Sequence, residues 1–396
     1  MKEAPKIALI MTGGGSRAAY QVGVLRALAE LLPRGVRNPF PIICGTSAGA
    51  INAAVLAAAA SNFRQGVRRL MAVWRNFQVG QVYRADPIGV IRNSSRWLFA
   101  GLTGGAFTRK PVSLLDNSPL AELLRRRLDF SAIQRCIDTG DLIAYSVTCS
   151  GYTSGQSVSF FQGQSGLQPW QRARRIGVAT PITVEHLVAS SALPFIFPPV
   201  HINREFFGDG SMRQIAPVSP ALHLGADRLL VIGMGRQLQQ RQVERSKVDA
   251  YPSLAQIAGH ALNSIFLDSL EVDLERLQRI NRTVEIIPKE ELERANYPLH
   301  HVDFRLLSPS DELEKIASQH AGDLPRTIRT LLYTVGALKR SGSNLLSYLL
   351  FEKSYCRALI QLGYQDTVAR KDDLLSFLGY AGQEAPPRAP CFGRPD

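Results

Sequence analysis

The 396-residue sequence lacks several features that would assign it to a particular class of protein. It has no run of about 18 apolar residues, the length that a membrane-spanning helix needs. Near its N-terminus only residues 7–11 form an apolar core, which is short for a secretory signal. Its five cysteines include no C-x-x-C pair and no zinc-type spacing with histidine. We therefore expect a soluble cytoplasmic protein with free thiols and no metal site.

Carboxylates are absent from Leu31 to Ala85, although this stretch contains seven arginines. Residues 1–127 hold 18 Lys and Arg against 5 Asp and Glu, whereas residues 128–396 hold 28 of each, so the net charge of +13 arises in the N-terminal third. Such one-sided charge favours an anionic partner, either a membrane leaflet or a nucleic acid. A solvated face without a partner is the alternative.

Strand and helix signals alternate at the start of the chain. Residues 6–12 and 42–44 have the composition of short buried strands, and residues 17–32 and 48–60 that of helices. This order predicts an α/β fold with a mainly parallel central sheet and helices on its faces. Further strands are predicted at 141–150, 158–162 and 226–234.

The character of the chain changes after a polar, charged segment at 237–248, where we expect a domain edge. Helices are predicted at 254–280, 327–337 and 345–362, so that a helical C-terminal extension (250–382) follows a catalytic domain (5–235), with a Pro-rich disordered tail at 383–396. Four leucines at helical spacing form either core packing or the contact of a homodimer: Leu267, Leu270, Leu274 and Leu277. The segment 97–107 (WLFAGLTGGAF) is either an interfacial lid or a buried loop.

The first motif of chemical interest is Gly13-Gly14-Gly15-Ser16-Arg17, between a predicted strand and a predicted helix. Consecutive glycines allow backbone N–H groups to face one concave anion site, and the helix N-terminus adds positive potential. The anion is either a phosphate or a transient oxyanion. A dinucleotide site would need an acidic residue about 20 positions further on, and none is present there.

The second motif is Gly45-Thr46-Ser47-Ala48-Gly49, a G-x-S-x-G pentapeptide between a strand and a helix. In this context the glycines permit a strained turn that presents the serine hydroxyl to a substrate. The N–H of Ala48 and the helix N-terminus can stabilise the negative charge that develops.

The third motif is Asp209-Gly210, a carboxylate on a turn after an apolar strand. Serine needs a base to take its proton. One of the seven histidines can do so in a triad, and so can an aspartate whose pKa is raised by its environment. The residues alone leave both mechanisms open.

Together the three motifs resemble the patatin-like phospholipases. The matching segments are GGGSR at 13–17, GTSAG at 45–49, ASSALP at 189–194 and DGS at 209–211. The family's usual last glycine of the first motif is Ala18 here, and Ser211 stands where Gly or Ala follows Asp-Gly.

The resemblance implies a patatin-like three-layer α/β/α fold and a Ser47–Asp209 dyad that needs no histidine, metal or cofactor. Gly13, Gly14, Gly15 and Arg17, with Ala48, would form the oxyanion hole, and Gly45, Gly49 and Gly210 would shape the turns. The implied substrate is a phospholipid or lysophospholipid, and the basic N-terminal third would hold the enzyme peripherally on an anionic membrane, with no nucleic acid as partner. Two other readings stay open: a dinucleotide-binding oxidoreductase that uses the Gly13 loop, and a catalytically silent membrane scaffold.

Overall fold

The computed structural model describes residues 5–86, 89, 95, 113–235, 251, 253–294, 299–338 and 342–382. The predicted lid or loop at 97–107, the predicted domain edge at 237–248 and the predicted tail at 383–396 lie outside these residues. Among the described residues, no helix has both the length and the hydropathy needed to cross a bilayer.

Ten strands of the described chain form one mixed sheet. In chain order they are β1 (Ile7–Met11), β2 (Ile42–Thr46), β3 (Ala144–Gly151), β4 (Ser157–Gly163), β5 (Trp170–Arg172), β6 (Arg175–Ala179), β7 (Val200–Ile202), β8 (Glu205–Asp209), β9 (Arg228–Ile232) and β10 (Asp303–Leu307). The order across the sheet is β10-β9-β1-β2-β3-β4-β6-β5, and β8 pairs with both β3 and β7. The first five of these run parallel to one another, which confirms the predicted mainly parallel sheet.

Helices cover both faces of this sheet. They are α1 (Ala19–Leu31), α2 (Ala48–Ala57), α3 (Phe63–Trp74), α4 (Ser118–Arg127), α5 (Ser131–Asp138), α6 (Val184–Ser190), α7 (Ser219–His223), α8 (Leu254–Asn263), α9 (Ser269–Ile286), α10 (Lys289–Arg294), α11 (Leu313–Gln319), α12 (Arg326–Thr334), α13 (Ser343–Leu349), α14 (Lys353–Ala369) and α15 (Lys371–Phe377). A π-helical turn, Ser264–Asp268, joins α8 to α9.

The side chains of β1 alternate between two hydrophobic cores. Leu9 and Met11 are buried with α1 and α2 on one face, and Ala8 and Ile10 are buried with α7 and α9 on the other. This alternation is what a strand with period two requires when both faces are covered. The three-layer α/β/α prediction is therefore confirmed.

The C-terminal part of the chain shares these cores. Helix α14 crosses α1 so closely that a Cβ on Gly23 would lie 2.0 Å from the carbonyl oxygen of Ile360, and one on Gly363 would lie 2.2 Å from that of Tyr20. Only glycine allows the two backbones to meet at this distance. The last third of the chain is thus packed directly onto the first helix of the sheet.

One strand of the sheet lies within the predicted helical extension, between its predicted helices. Asp303–Leu307 pairs in parallel with β9 at the edge of the sheet, so the extension also contributes a strand that the sequence analysis did not predict. The strand carries two charges, and Arg305 forms ion pairs with Asp303 and Asp373, as suits an edge strand. Because Asp303 and Arg305 interrupt the run of apolar residues, the sequence pattern does not indicate a strand here.

The leucine seam of the C-terminal helices is core packing. Leu270, Leu274 and Leu277 are buried against β9 and α7, and Leu267 packs against the other core. The seam is therefore occupied within the chain. A homodimer through other faces of these helices stays a prediction.

Candidate active site

Ser47 lies on a sharp turn between β2 and α2. Its backbone has φ 55° and ψ −132°, a conformation that a residue with a side chain rarely adopts. The neighbouring backbone is equally close-packed: a Cβ on Gly45 would lie 2.4 Å from Cα of Ala50, and one on Gly49 would lie 2.3 Å from the carbonyl oxygen of Met11. The two glycines of the G-x-S-x-G motif are therefore required by the turn that presents the serine.

Asp209 ends β8 on the same edge of β3 that β2 occupies. Thr46 pairs with Thr148, and the next residue of β3, Cys149, pairs with Asp209. Because β4 takes the other edge of β3 through this region, β8 continues the edge that β2 leaves at Ser47. The hydrogen-bond ladder thus brings the serine and the aspartate together.

The Asp209 carboxylate is fully buried and only partly satisfied. Its Oδ1 accepts a hydrogen bond of 2.9 Å from the N–H of Ser211, whereas Oδ2 receives no hydrogen bond of ordinary geometry. Burial raises the pKa of Asp209 to about 6, opposed first by the Ser47 hydroxyl and then by Ser211. The serine hydroxyl is therefore near enough to act on the carboxylate, as a proton donor to a base must be.

A second serine holds the turn in place. The N–H of Ser47 donates a 2.9 Å hydrogen bond to Oγ of Ser190, whose own hydroxyl donates to the carbonyl oxygen of Thr148 at 2.6 Å. Ser190 therefore ties the serine turn to β3. Its place within the ASSALP segment was the only sequence signal for it.

The glycine loop places unused backbone donors beside the serine. The N–H groups of Gly13, Gly14 and Gly15, and that of Ala48 at the start of α2, donate no hydrogen bond to any residue that the structure describes. A Cβ on Gly13 would lie 2.6 Å from Oγ of Ser211, which puts this loop directly against the aspartate turn. Free, preorganised N–H groups next to a nucleophile are what an oxyanion hole consists of.

The outer side of this loop is covered by the C-terminal part of the chain. A Cβ on Gly13 would also lie 2.7 Å from the ring of Phe266, in the π-helical turn, and one on Gly15 would lie 2.3 Å from the carbonyl oxygen of Tyr348. No acidic residue lies between β2 and Asp86, so the ribose of NAD would have no carboxylate partner at the end of β2.

The side chain of Arg17 is buried against α13. Its guanidinium donates to Oγ of Ser347 from both Nε (2.8 Å) and Nη2 (2.6 Å), and Nη2 also donates to Asn344 at 3.2 Å. It lies 4.0 Å from the ring centre of Tyr348 and 3.8 Å from a carboxylate oxygen of Glu314. Arg17 thus attaches the glycine loop to α13, and its part in the oxyanion hole stays a prediction.

No histidine takes part in this arrangement. All seven lie in the described residues, and none forms a hydrogen bond or ion pair with Ser47 or Asp209. His186, on α6, accepts a hydrogen bond from the N–H of Thr183, and burial lowers its pKa to about 4. The described residues also contain no group of three or more His, Cys, Asp or Glu side chains placed to hold a metal ion.

Both members of the pair are buried. Ser47 is 2% exposed and Asp209 is 0% exposed.

Comparison with known proteins agrees with the geometry. Residues 9–222, more than half of the chain, match the family model described as patatin-like phospholipase. No curated protein matches the chain significantly.

Solved structures resemble the chain at low identity. VipD from Legionella pneumophila is 12% identical with a TM-score of 0.34, over 93% of this chain and 67% of VipD. Human GIVD cytosolic phospholipase A2, in complex with methyl gamma-linolenyl fluorophosphonate, is 14% identical with a TM-score of 0.42, over 95% of this chain and 59% of the human protein. A chain of the ExoU–SpcU complex from Pseudomonas aeruginosa is 16% identical with a TM-score of 0.26, over 96% of this chain and 73% of that one.

The assignment rests on the family match, which covers residues 9–222. The chain belongs to the patatin-like phospholipases, a family of lipid acyl hydrolases.

Proposed function

We propose that the protein hydrolyses carboxylic esters of membrane lipids, as a phospholipase A or lysophospholipase, through a Ser47–Asp209 dyad. The observation that carries this proposal is the meeting of a serine on a strained turn with a fully buried aspartate whose Oδ2 has no other hydrogen-bond partner. Burying a carboxylate oxygen without a hydrogen-bond partner costs free energy, so its presence in a folded protein calls for a functional explanation. In this position the Asp209 carboxylate can act as the general base that accepts the proton of Ser47.

The reaction has two half-reactions. Ser47 Oγ attacks the ester carbonyl carbon while Asp209 Oδ2 takes its proton, and the carbonyl oxygen becomes an oxyanion facing the free N–H groups of Gly14, Gly15 and Ala48. Collapse of this intermediate breaks the ester bond, and the leaving alkoxide takes the proton from Asp209. Water then attacks the acyl-enzyme, with Asp209 again as base, and releases the fatty acid.

The test is turnover of a short-chain p-nitrophenyl ester and of a lysophospholipid. Ser47→Ala and Asp209→Asn should each lower kcat by at least about 10³-fold. The control Ser61→Ala removes an exposed hydroxyl and should change nothing. Undiminished turnover in Ser47→Ala would refute the proposal.

The histidines separate a dyad from a triad. Each single His→Ala variant should keep at least about a third of the wild-type kcat, because none contacts the dyad in the structure. Loss of activity in one of them, together with loss in Asp209→Asn, would replace the dyad with a triad.

A further inference from the structure

Three of the seven arginines in the carboxylate-free stretch bind other parts of the chain. Arg37 pairs with Asp141 at 3.0 Å, Arg84 pairs with Asp116 at 3.3 Å, and Arg64 donates to the carbonyl oxygen of Leu32. These charges are engaged within the chain. The basic surface that remains is therefore narrower than the sequence indicates.

Two other arginines of the stretch, Arg68 and Arg75, line a cavity between α3 and α14 together with Arg357. This cavity has a volume of about 330 Å³, and its other lining residues are Met71, Ala72 and Asn76. No carboxylate of the described residues lines it. In the described part of the chain, none of these arginines forms an ion pair, and Arg357 holds its place by donating from Nε to the carbonyl oxygen of Arg75 at 2.9 Å. The chemistry of this groove suits a phosphate group.

The groove lies toward the catalytic edge of the sheet. Helix α3 runs antiparallel to α2: Gly66 packs against Leu56, near the end of α2, while Trp74 Nε1 donates at 2.9 Å to Asn52, one turn closer to its start. Since Ser47 begins α2, the Arg75 end of α3 lies on the side of the molecule where the nucleophile is presented.

Large apolar side chains are exposed on the same edge. Phe195 is 77% exposed and has a left-handed backbone (φ 65°). It lies three residues after Ala192, whose carbonyl oxygen accepts a hydrogen bond from the N–H of Asp209. Ile215 is 53% exposed and follows Gln214, which accepts from Thr46 Oγ1 at 2.8 Å. A bilayer interface combines exposed apolar side chains with cationic groups on one side of a protein, whereas the binding of a free phosphate does not need the apolar ones.

We propose that the α3–α14 groove binds the phosphate groups of anionic phospholipids, so that the catalytic edge docks on a negatively charged bilayer while Phe195 and Ile215 enter its surface. The proposal rests on the proposed function for its choice of a lipid surface. Its site is separate from the dyad.

Vesicle co-sedimentation tests the groove. All proteins carry Ser47→Ala, so that the vesicles are not hydrolysed, and the vesicles are pure phosphatidylcholine or phosphatidylcholine with phosphatidylglycerol. We expect a clear preference for the anionic vesicles at low salt. Arg68→Gln/Arg75→Gln/Arg357→Gln should weaken that binding on the order of 100-fold, and Arg68→Gln/Arg75→Gln, which keeps the Arg357 hydrogen bond, on the order of 10-fold or more.

A matched control removes the same charge elsewhere. Arg172→Gln/Arg282→Gln/Arg326→Gln alters three exposed arginines on β5, α9 and α12 and should bind almost as well as the parent. Equal loss in the two triple variants would overturn the proposal in favour of net charge alone. Equal binding to neutral and anionic vesicles would also overturn it.

Two further arms separate the other sources of phosphate. If inorganic phosphate or a duplex oligonucleotide binds, the groove variant abolishes that binding, and vesicles do not bind, the bilayer is not the partner.

With Ser47 restored, the groove variant should hydrolyse a monomeric p-nitrophenyl ester at the wild-type rate. If the wild type cleaves no ester at all, the proposed function fails, while the vesicle result stands on its own.

Discussion

Ser47 and Asp209 approach each other from opposite directions along one edge of β3. The first leaves a strand parallel to β3 and the second ends a strand antiparallel to it, at neighbouring register positions. Their separation is therefore set by backbone hydrogen bonds, which are more rigid than a contact between two mobile side chains.

The pH dependence of the reaction should report the buried carboxylate. Burial raises the pKa of Asp209 to about 6, and a base must be deprotonated to act. We expect kcat/KM for a monomeric ester to rise about tenfold per pH unit below pH 6 and to level off above it. The profile between pH 4.5 and 8 checks this. An inflection near pH 7 that one His→Ala variant removes would point to a histidine base instead.

Ionisation of the same carboxylate should destabilise the folded protein at neutral pH. Its folded pKa, about 6, lies above the usual value of 3.8, so the folded state binds the proton more tightly than the unfolded state does. We expect the contribution of this group to stability to be fully present below about pH 4, to be lost as the pH rises through 6, and to be about 3 kcal/mol smaller above it.

Asp209→Asn, which cannot ionise, should therefore be inactive but more stable by about 1–3 kcal/mol at pH 7.5, with no gain at pH 3.5. Urea unfolding at both pH values measures the difference. An equal effect at the two pH values would show that ionisation is not the cause.

Ser347 should act as a positioning residue for the glycine loop (residues 13–17). It is fully buried, accepts two hydrogen bonds from Arg17, and its carbonyl oxygen accepts from Ser16 Oγ at 2.7 Å. We expect Ser347→Ala to lower kcat by about 10–100-fold with little change in KM, because a displaced loop weakens transition-state binding most.

Steady-state kinetics with a monomeric ester, at several pH values, checks this effect. The inflection near pH 6 should stay in place, since the base is unaltered. Ser318→Ala, an exposed serine on α11 that donates only to the carbonyl oxygen of Glu314, is the control. A rise in KM without loss of kcat would contradict the positioning role.

Two glycines should tolerate no side chain at all. A Cβ on Gly210 would lie 2.0 Å from the carbonyl oxygen of Thr148, and one on Gly49 2.3 Å from that of Met11. Gly210→Ala and Gly49→Ala should each lower the free energy of unfolding by about 2 kcal/mol or more and abolish activity. Gly80→Ala, where no described residue beyond its chain neighbours lies within 4 Å of the added Cβ, should alter neither stability nor activity. Thermal or urea unfolding with an ester assay compares the three.

The sequence predicts those parts of the site that depend on local geometry. Gly13 to Gly15 follow the buried strand β1, and Ser47 lies on the turn between β2 and α2, with Gly45 at the end of the strand and Gly49 at the start of the helix. The conformation of both segments is determined by neighbours in the chain.

What the sequence does not predict depends on distant contacts. The partner of Arg17 lies 330 residues further along the chain, and no local pattern connects the two. The helix predicted at 345–362 is divided into α13 and α14 because Phe351 packs against Trp74, Phe77 and Tyr83 between them. Tertiary packing decides both features, and local propensity cannot express it.

The attachment of the glycine loop to α13 has a consequence for biosynthesis. The ribosome delivers Ser347, whose side chain holds the glycine loop, 330 residues after Arg17. A nascent chain therefore contains Ser47 and Asp209 well before it contains the residues that hold the glycine loop in place.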